Sequence, residues 1–158
     1  VHPTRGLDHG AWVPLLLMYP DADIPVTQLT VQPSLGTGHH FQLGEALRPL
    51  RDEGVLLIGS GDIVHNLRAF FGPGGADDSN AERAFDDYIV SAVESGDHRA
   101  VLDYRNHPHA AHAAPDWDHF FPLFYVLGAS GPGEHAHVFN RHFFPGISMT
   151  CIGFGAGS

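Results

Sequence analysis

The chain has 158 residues, 43% of them hydrophobic and 16% charged, the balance of a globular domain and not of a disordered segment. A formal net charge of −10 with only eight basic residues, all arginine, argues against a nucleic-acid surface, and no apolar run approaches the roughly 20 residues that cross a bilayer. The lone cysteine, Cys151, excludes an internal disulfide and a cysteine-built zinc cage, and is compatible with a reducing cytoplasm.

In chain order, residues 15–18 are apolar and run into the turn cluster Tyr19-Pro20-Asp21-Ala22-Asp23. Residues 24–31 alternate apolar and polar side chains and are rich in β-branched types, which predicts a strand. Phe41, Leu43, Leu47 and Leu50 stand at near-helical spacing, so residues 39–53 predict a helix closed by Gly54. The all-apolar run at 55–59 predicts a strand buried on both faces. Strand, helix and strand in that order predict a βαβ unit with a right-handed crossover. A Gly- and Asp-rich loop follows at 70–80, then a helix over 81–95 carrying Phe85, Tyr88, Ile89 and Val93 and stopped by Gly96. A short helix is expected over 98–105, a loop over 106–115, and a helix from Asp116, as its N-cap, to about Leu127. A turn at 128–133, closing strands over 135–144 and 147–154, and a plain tail at 155–158 complete the chain. The whole of 1–158 reads as a single α/β domain, a central mixed or parallel sheet flanked by helices.

Thirteen histidines outnumber the arginines, so the charge should change sharply near pH 6. His65 is the best metal candidate. In Gly59-Ser60-Gly61-Asp62-Ile63-Val64-His65-Asn66-Leu67-Arg68 it lies just past a predicted strand, where open α/β sheets place their ligands, and the glycines let backbone approach closely. Alternatively it caps a helix beginning near Asn66. Arg68 either holds an anionic substrate group or pairs with a carboxylate. In Gly6-Leu7-Asp8-His9-Gly10-Ala11-Trp12-Val13-Pro14-Leu15, a carboxylate beside His9 suits acid/base work, although Asp8 can equally cap the following helix. His119, in Pro115-Asp116-Trp117-Asp118-His119-Phe120-Phe121-Pro122-Leu123, is either a metal ligand or a hydrogen-bonded core or surface residue, with Asp116 and Asp118 as possible carboxylate ligands. His107, His109 and His112 match neither a helical pair nor a zinc signature and read as mostly solvated loop. His39 and His40 begin a helix. His2, His98, His135, His137 and His142 have no supporting constellation.

Taken together, these strings resemble the class III extradiol ring-cleavage dioxygenases of the 4,5-DOPA dioxygenase type. The resemblance extends to Tyr19-Pro20-Asp21-Ala22-Asp23-Ile24-Pro25, Arg51-Asp52-Glu53-Gly54 and the helix end at 123–128. It implies a non-haem Fe(II), with Zn(II) as the alternative, held by His65 and His119. It implies His9 as the acid/base residue, and a pocket for a catechol substrate and O2 bordered by Asp8, Asn66 and Arg68. It also implies an incomplete chain. A Gly-His-Gly-Ser-Pro-like motif and a further metal histidine on a Ser-Ala-His-Trp-like segment, both N-terminal in the family, do not occur in this sequence, which begins at Val1 without a signal-peptide pattern. With two protein ligands where a catalytic metal has about three, the chain alone is expected to hold metal weakly and to be inactive.

Two other readings stay open from the residues. One is a non-catalytic, histidine-rich metal- or partner-binding module. The other is a zinc hydrolase on a related scaffold, which a requirement for O2 would exclude. The sequence shows no Gly-x-Gly-x-x-Gly after a strand and no Walker-type lysine loop, Ser60 and Ser148 lack a hydrolase elbow, and Cys151 reads as buried.

Overall fold

The structure, a computed structural model, describes residues 4–72 and 79–155; His2, residues 73–78 of the expected loop and 156–158 of the tail lie outside the described residues. Contacts divide the chain into two compact units, Val1–Val31 and Gln32–Ser158.

In the first unit, α1 (His9–Met18) starts where the Asp8 carboxylate accepts the Ala11 N–H, an N-cap that satisfies one of the orphan amides of the first turn. Asp8 also donates its own N–H to Gln28 Oε1 at 3.1 Å, and Gln28 Nε2 donates back to the carboxylate. Asp8 is thus the helix cap that the sequence left as an alternative, and it makes no bond to His9. No residue of α1 is buried, and Leu17 is 82% exposed. Residues 24–31 do not form the expected strand. They carry no ladder, and Ile24, Val26 and Leu29 are exposed. Alternation supplies a strand's faces but not the neighbour that its backbone groups need.

The second unit is built on helices. α2 (Gly36–Leu47) begins three residues earlier than expected and passes into a 3-10 segment, Arg48–Glu53. Pro49 has no N–H with which to continue the α ladder, so the final turns tighten. Gly54 then ends the helix in the left-handed region, at φ 82°. The run at 55–59 is a correction of the same kind as 24–31. It forms no strand, Leu56 is 63% exposed, and the predicted βαβ unit is absent from the described residues. α3 (Leu67–Phe71) is capped by Asn66. α4 (Ser79–Glu94) buries Phe85, Ile89 and Val93 on one face, as their spacing requires. α5 (His98–Leu102) and a 3-10 turn, Tyr104–Asn106, lead to α6 (Ala110–Ala113), a short helix inside the expected loop. α7 (Pro122–Ala129) starts six residues after Asp116, because Pro122 pre-sets the first-turn φ and Phe121 takes the cap position. A Cβ on Gly44 would collide with the Tyr125 carbonyl, and one on Gly128 with the Phe41 carbonyl, so α2 and α7 meet backbone to backbone.

An aromatic cluster centres this unit. The Tyr104 and Phe120 rings lie 4.5 Å apart, Phe120 and Phe124 5.3 Å, and Phe85 and Phe120 5.8 Å. Each such ring withdrawn from water contributes about 1.5–3 kcal/mol. The two closing strands appear as four short ones, because the first breaks at residues 141–142 and the second at 149–150, with a register shift between Val138 and Asn140. β1 (His137–Asn140) pairs antiparallel with β4 (Cys151–Gly153), and β2 (Phe143–Phe144) with β3 (Ile147–Ser148). Cys151 lies in β4 as expected but is only half-buried.

Two buried carboxylates on α4 fasten this C-terminal segment. Glu82 accepts the Gly146 N–H at 2.8 Å, and Asp86 accepts the hydroxyls of Ser148 (2.5 Å) and Thr150 (2.8 Å) together with Arg141 (2.5 Å). Helix and short ladders together make up the mixed class expected from the sequence. No described helix is long and apolar enough to cross a membrane.

Candidate metal centre

Two loops of the second unit create the site. Ile63 and Val64 are buried and anchor the first loop, whose backbone is bonded at several points. The Asp62 N–H donates to the His119 carbonyl at 2.9 Å, the His65 N–H to the Ala113 carbonyl at 2.9 Å, and the Asn66 N–H to the Gly146 carbonyl at 2.7 Å. Glycine is required where the loops touch. A Cβ on Gly61 would strike the His119 carbonyl oxygen, and one on Gly59 would sit 2.7 Å from that of Pro122.

This backbone arrangement stacks the His65 ring on the His119 ring, with centroids 3.6 Å apart and planes 12° from parallel. Asp62 Oδ2 lies 3.4 Å from His119 Nδ1. One ligand atom each from Asp62, His65 and His119 lies within 4.8 Å of the others. The electrostatics separate the two imidazoles. The Asp62 carboxylate at its ring nitrogen holds the His119 pKa above the usual histidine value, with Asp118 and Asp116 adding to the effect. Burial pushes His65 down, as does the neighbouring His119. Both effects favour the neutral imidazole, the form that ligates a metal.

The structure thus brings together the two predicted metal histidines. Asn66 is buried and committed to the backbone. Its Oδ1 accepts the amides of Arg68 and Ala69, and its Nδ2 donates to the His112 carbonyl at 2.9 Å. Arg68 is exposed on α3. His9, the first residue of α1, is exposed in the Val1–Val31 unit. The His107–His112 cluster is half-buried and not a solvated loop: His107 stacks on Tyr88 at 4.7 Å and His112 pairs with Glu82.

Asp62 escaped the sequence reading, which weighed Asp116 and Asp118 as carboxylates. Its signal was present. It stands three residues before His65 in a Gly-rich turn, close enough for both side chains to serve one centre. Asp118 instead accepts the His119 N–H at 3.0 Å. Two imidazoles and a carboxylate are the donor set of non-haem Fe(II) oxygenase centres, and also suit Zn(II).

Comparison with known proteins agrees with this chemistry. Residues 1–153 match the family model described as the catalytic LigB subunit of aromatic ring-opening dioxygenase. The chain belongs to this family. It is 44% identical to a Beta vulgaris protein named 4,5-DOPA dioxygenase extradiol, over 90% of this chain and 53% of that protein. An Escherichia coli protein of the same name is 38% identical over 78% of this chain and 47% of its own length. The crystal structure of an uncharacterized Escherichia coli K12 protein superposes with a TM-score of 0.80 at 32% identity, covering 94% of this chain and 62% of that one. The family assignment thus extends to the fold. The chain spans about half the length of the curated relatives it matches.

Proposed function

We propose that this chain carries the metal-binding part of an extradiol dioxygenase that opens the ring of a DOPA-like catechol with O2. The observation that carries the reading is the convergence of His65, His119 and Asp62 on two loops pinned by backbone bonds, in a chain of this family. His65 and His119 would hold the metal, Fe(II) in this reading and Zn(II) as the alternative. Bound there, Fe(II) supplies the Lewis acidity and redox capacity that ring opening requires.

The chain's own residues do the rest. His65 offers a ring nitrogen, and the Asp62 carboxylate stands 3.4 Å from His119 Nδ1. His9 is the proposed acid/base residue, taking and returning a proton at its imidazole nitrogen. Arg68 offers a guanidinium to an anionic substrate group, and Asn66 caps the helix that carries it. The 1–158 segment acts in this reading as one catalytic-domain portion, in the cytoplasm.

The test is anaerobic titration of the chain with Fe(II) beside His65→Ala and His119→Ala, followed by a catechol and O2. Fe(II) binding lost in both variants is the expected result, and any turnover that follows consumes O2 one-to-one with catechol. Fe(II) binding indifferent to His65→Ala and His119→Ala, or turnover without O2, would overturn the proposal.

A further inference from the structure

We propose that Asp62 is the third protein ligand of the metal centre, so that residues 62–119 alone form a three-donor site for a divalent transition cation. This inference rests on the reading that His65 and His119 hold the metal. It changes what that reading implies, because a two-histidine half-site would leave the chain unable to retain an ion.

Three observations carry it. The first is convergence: donor atoms of all three side chains lie within 4.8 Å of one another. Metal–ligand bonds of about 2.0–2.2 Å place ligand atoms about 3–3.5 Å apart, so modest side-chain rotations close the set. The second is preorganisation. Asp62 and His119 are joined by a backbone hydrogen bond of 2.9 Å, and His65 is fixed by another to Ala113, so the donors depend on backbone that is already ordered. Gly61 makes that approach possible, since any side chain there would separate the loops. Ordering of the ligand loops is therefore complete before an ion arrives.

The third is choice of carboxylate. Asp118 adjoins His119 in sequence, but one of its oxygens accepts the His119 N–H, its side chain is 54% exposed, and its other oxygen lies 3.9 Å from His119 Nε2. The Asp62 side chain is 21% exposed and directed at the imidazole pair. Asp116 and Asp118 then add negative charge around the site, which favours a cation without their ligating it.

The experiment titrates the whole chain with Co(II), read by its visible d–d absorption and by calorimetry, beside Asp62→Asn, Asp118→Asn, His65→Ala and His119→Ala. Far-UV circular dichroism confirms that each variant is folded. The expected result is one Co(II) per chain, an affinity loss of about 100-fold or more with a changed d–d spectrum in Asp62→Asn, and a loss below about threefold in Asp118→Asn. If Asp62→Asn weakens binding while keeping the wild-type spectrum, Asp62 orients His119 and is not a ligand, which overturns the proposal. So does wild-type protein that binds no Co(II), or an Asp62→Asn affinity within twofold of wild type. Failure of the underlying reading looks different: Co(II) binding would then survive His65→Ala and His119→Ala.

Discussion

Two histidine–carboxylate pairs in this molecule share almost the same spacing in different surroundings. His112 Nε2 lies 3.3 Å from Glu82 Oε1, and His119 Nδ1 lies 3.4 Å from Asp62 Oδ2. Glu82 is fully buried, and its second oxygen is occupied by the Gly146 N–H. Asp62 remains partly open, with a second imidazole stacked beside its partner. Distance therefore says little about the purpose of such a pair. What separates the two pairs is whether the carboxylate's remaining lone pairs are consumed by the protein or left partly exposed.

If that distinction holds, losing the buried pair should break the fold and losing the open pair should not. Glu82→Ala gives the largest expected effect, because it strips His112 and the Gly146 N–H of a shared, fully buried partner. A loss of about 3–5 kcal/mol is expected in urea unfolding. Asp62→Asn measured alongside should cost less than about 1 kcal/mol. Equal losses in the two variants would erase the comparison.

Between the two extremes sits Arg51–Glu134, a two-pronged ion pair at 2.6 and 2.8 Å whose side chains are 27% and 21% exposed. The hydrogen bonds from Arg51 hold the Glu134 carboxyl down at about 2, against an ordinary value of 4.5. A depressed carboxylate stabilises the fold above its unfolded pKa and loses that contribution as pH falls through its folded one. The pair's share, about 2–3 kcal/mol, is thus fully present above about pH 5 and lost between about pH 4.5 and 2. Unfolding midpoints of wild type and Glu134→Gln should differ at pH 7 and converge toward pH 2. A constant difference down to pH 2 would show that the pair makes no pH-linked contribution.

The same contrast explains what could be read in the chain without a structure. α4 was legible within two residues because Phe85, Ile89 and Val93 repeat at the helical period on a face that is buried. The close approach of the His65 loop was legible because Gly59 and Gly61 flag a backbone that must meet something closely. The strands at 24–31 and 55–59 were not, because an apolar run states a need for partners without supplying them, and the described residues hold none in register. α7 was misplaced because Asp116 and Pro122 are both good starts, and only packing decides between them. Asp62 was missed for a related reason. A lone aspartate beside glycine is ordinary turn chemistry until folding brings in His119 from the second loop.

Gly61 sets the sharpest limit on that last point, since it belongs to the site's backbone and to none of its ligands. In Gly61→Ala the new methyl meets the His119 carbonyl oxygen, the atom that accepts the Asp62 N–H. Both collision partners are near the backbone, so the loops must part, at a cost of about 1–3 kcal/mol. The expected signature is disproportionate: a small fall in melting temperature with a loss of at least tenfold in Co(II) affinity, although every donor is still present. Ser60→Ala, one residue away, should leave both unchanged. If Gly61→Ala instead binds Co(II) as wild type does, the ligands find one another by side-chain flexibility alone, and preorganisation of the two loops has no part in the site.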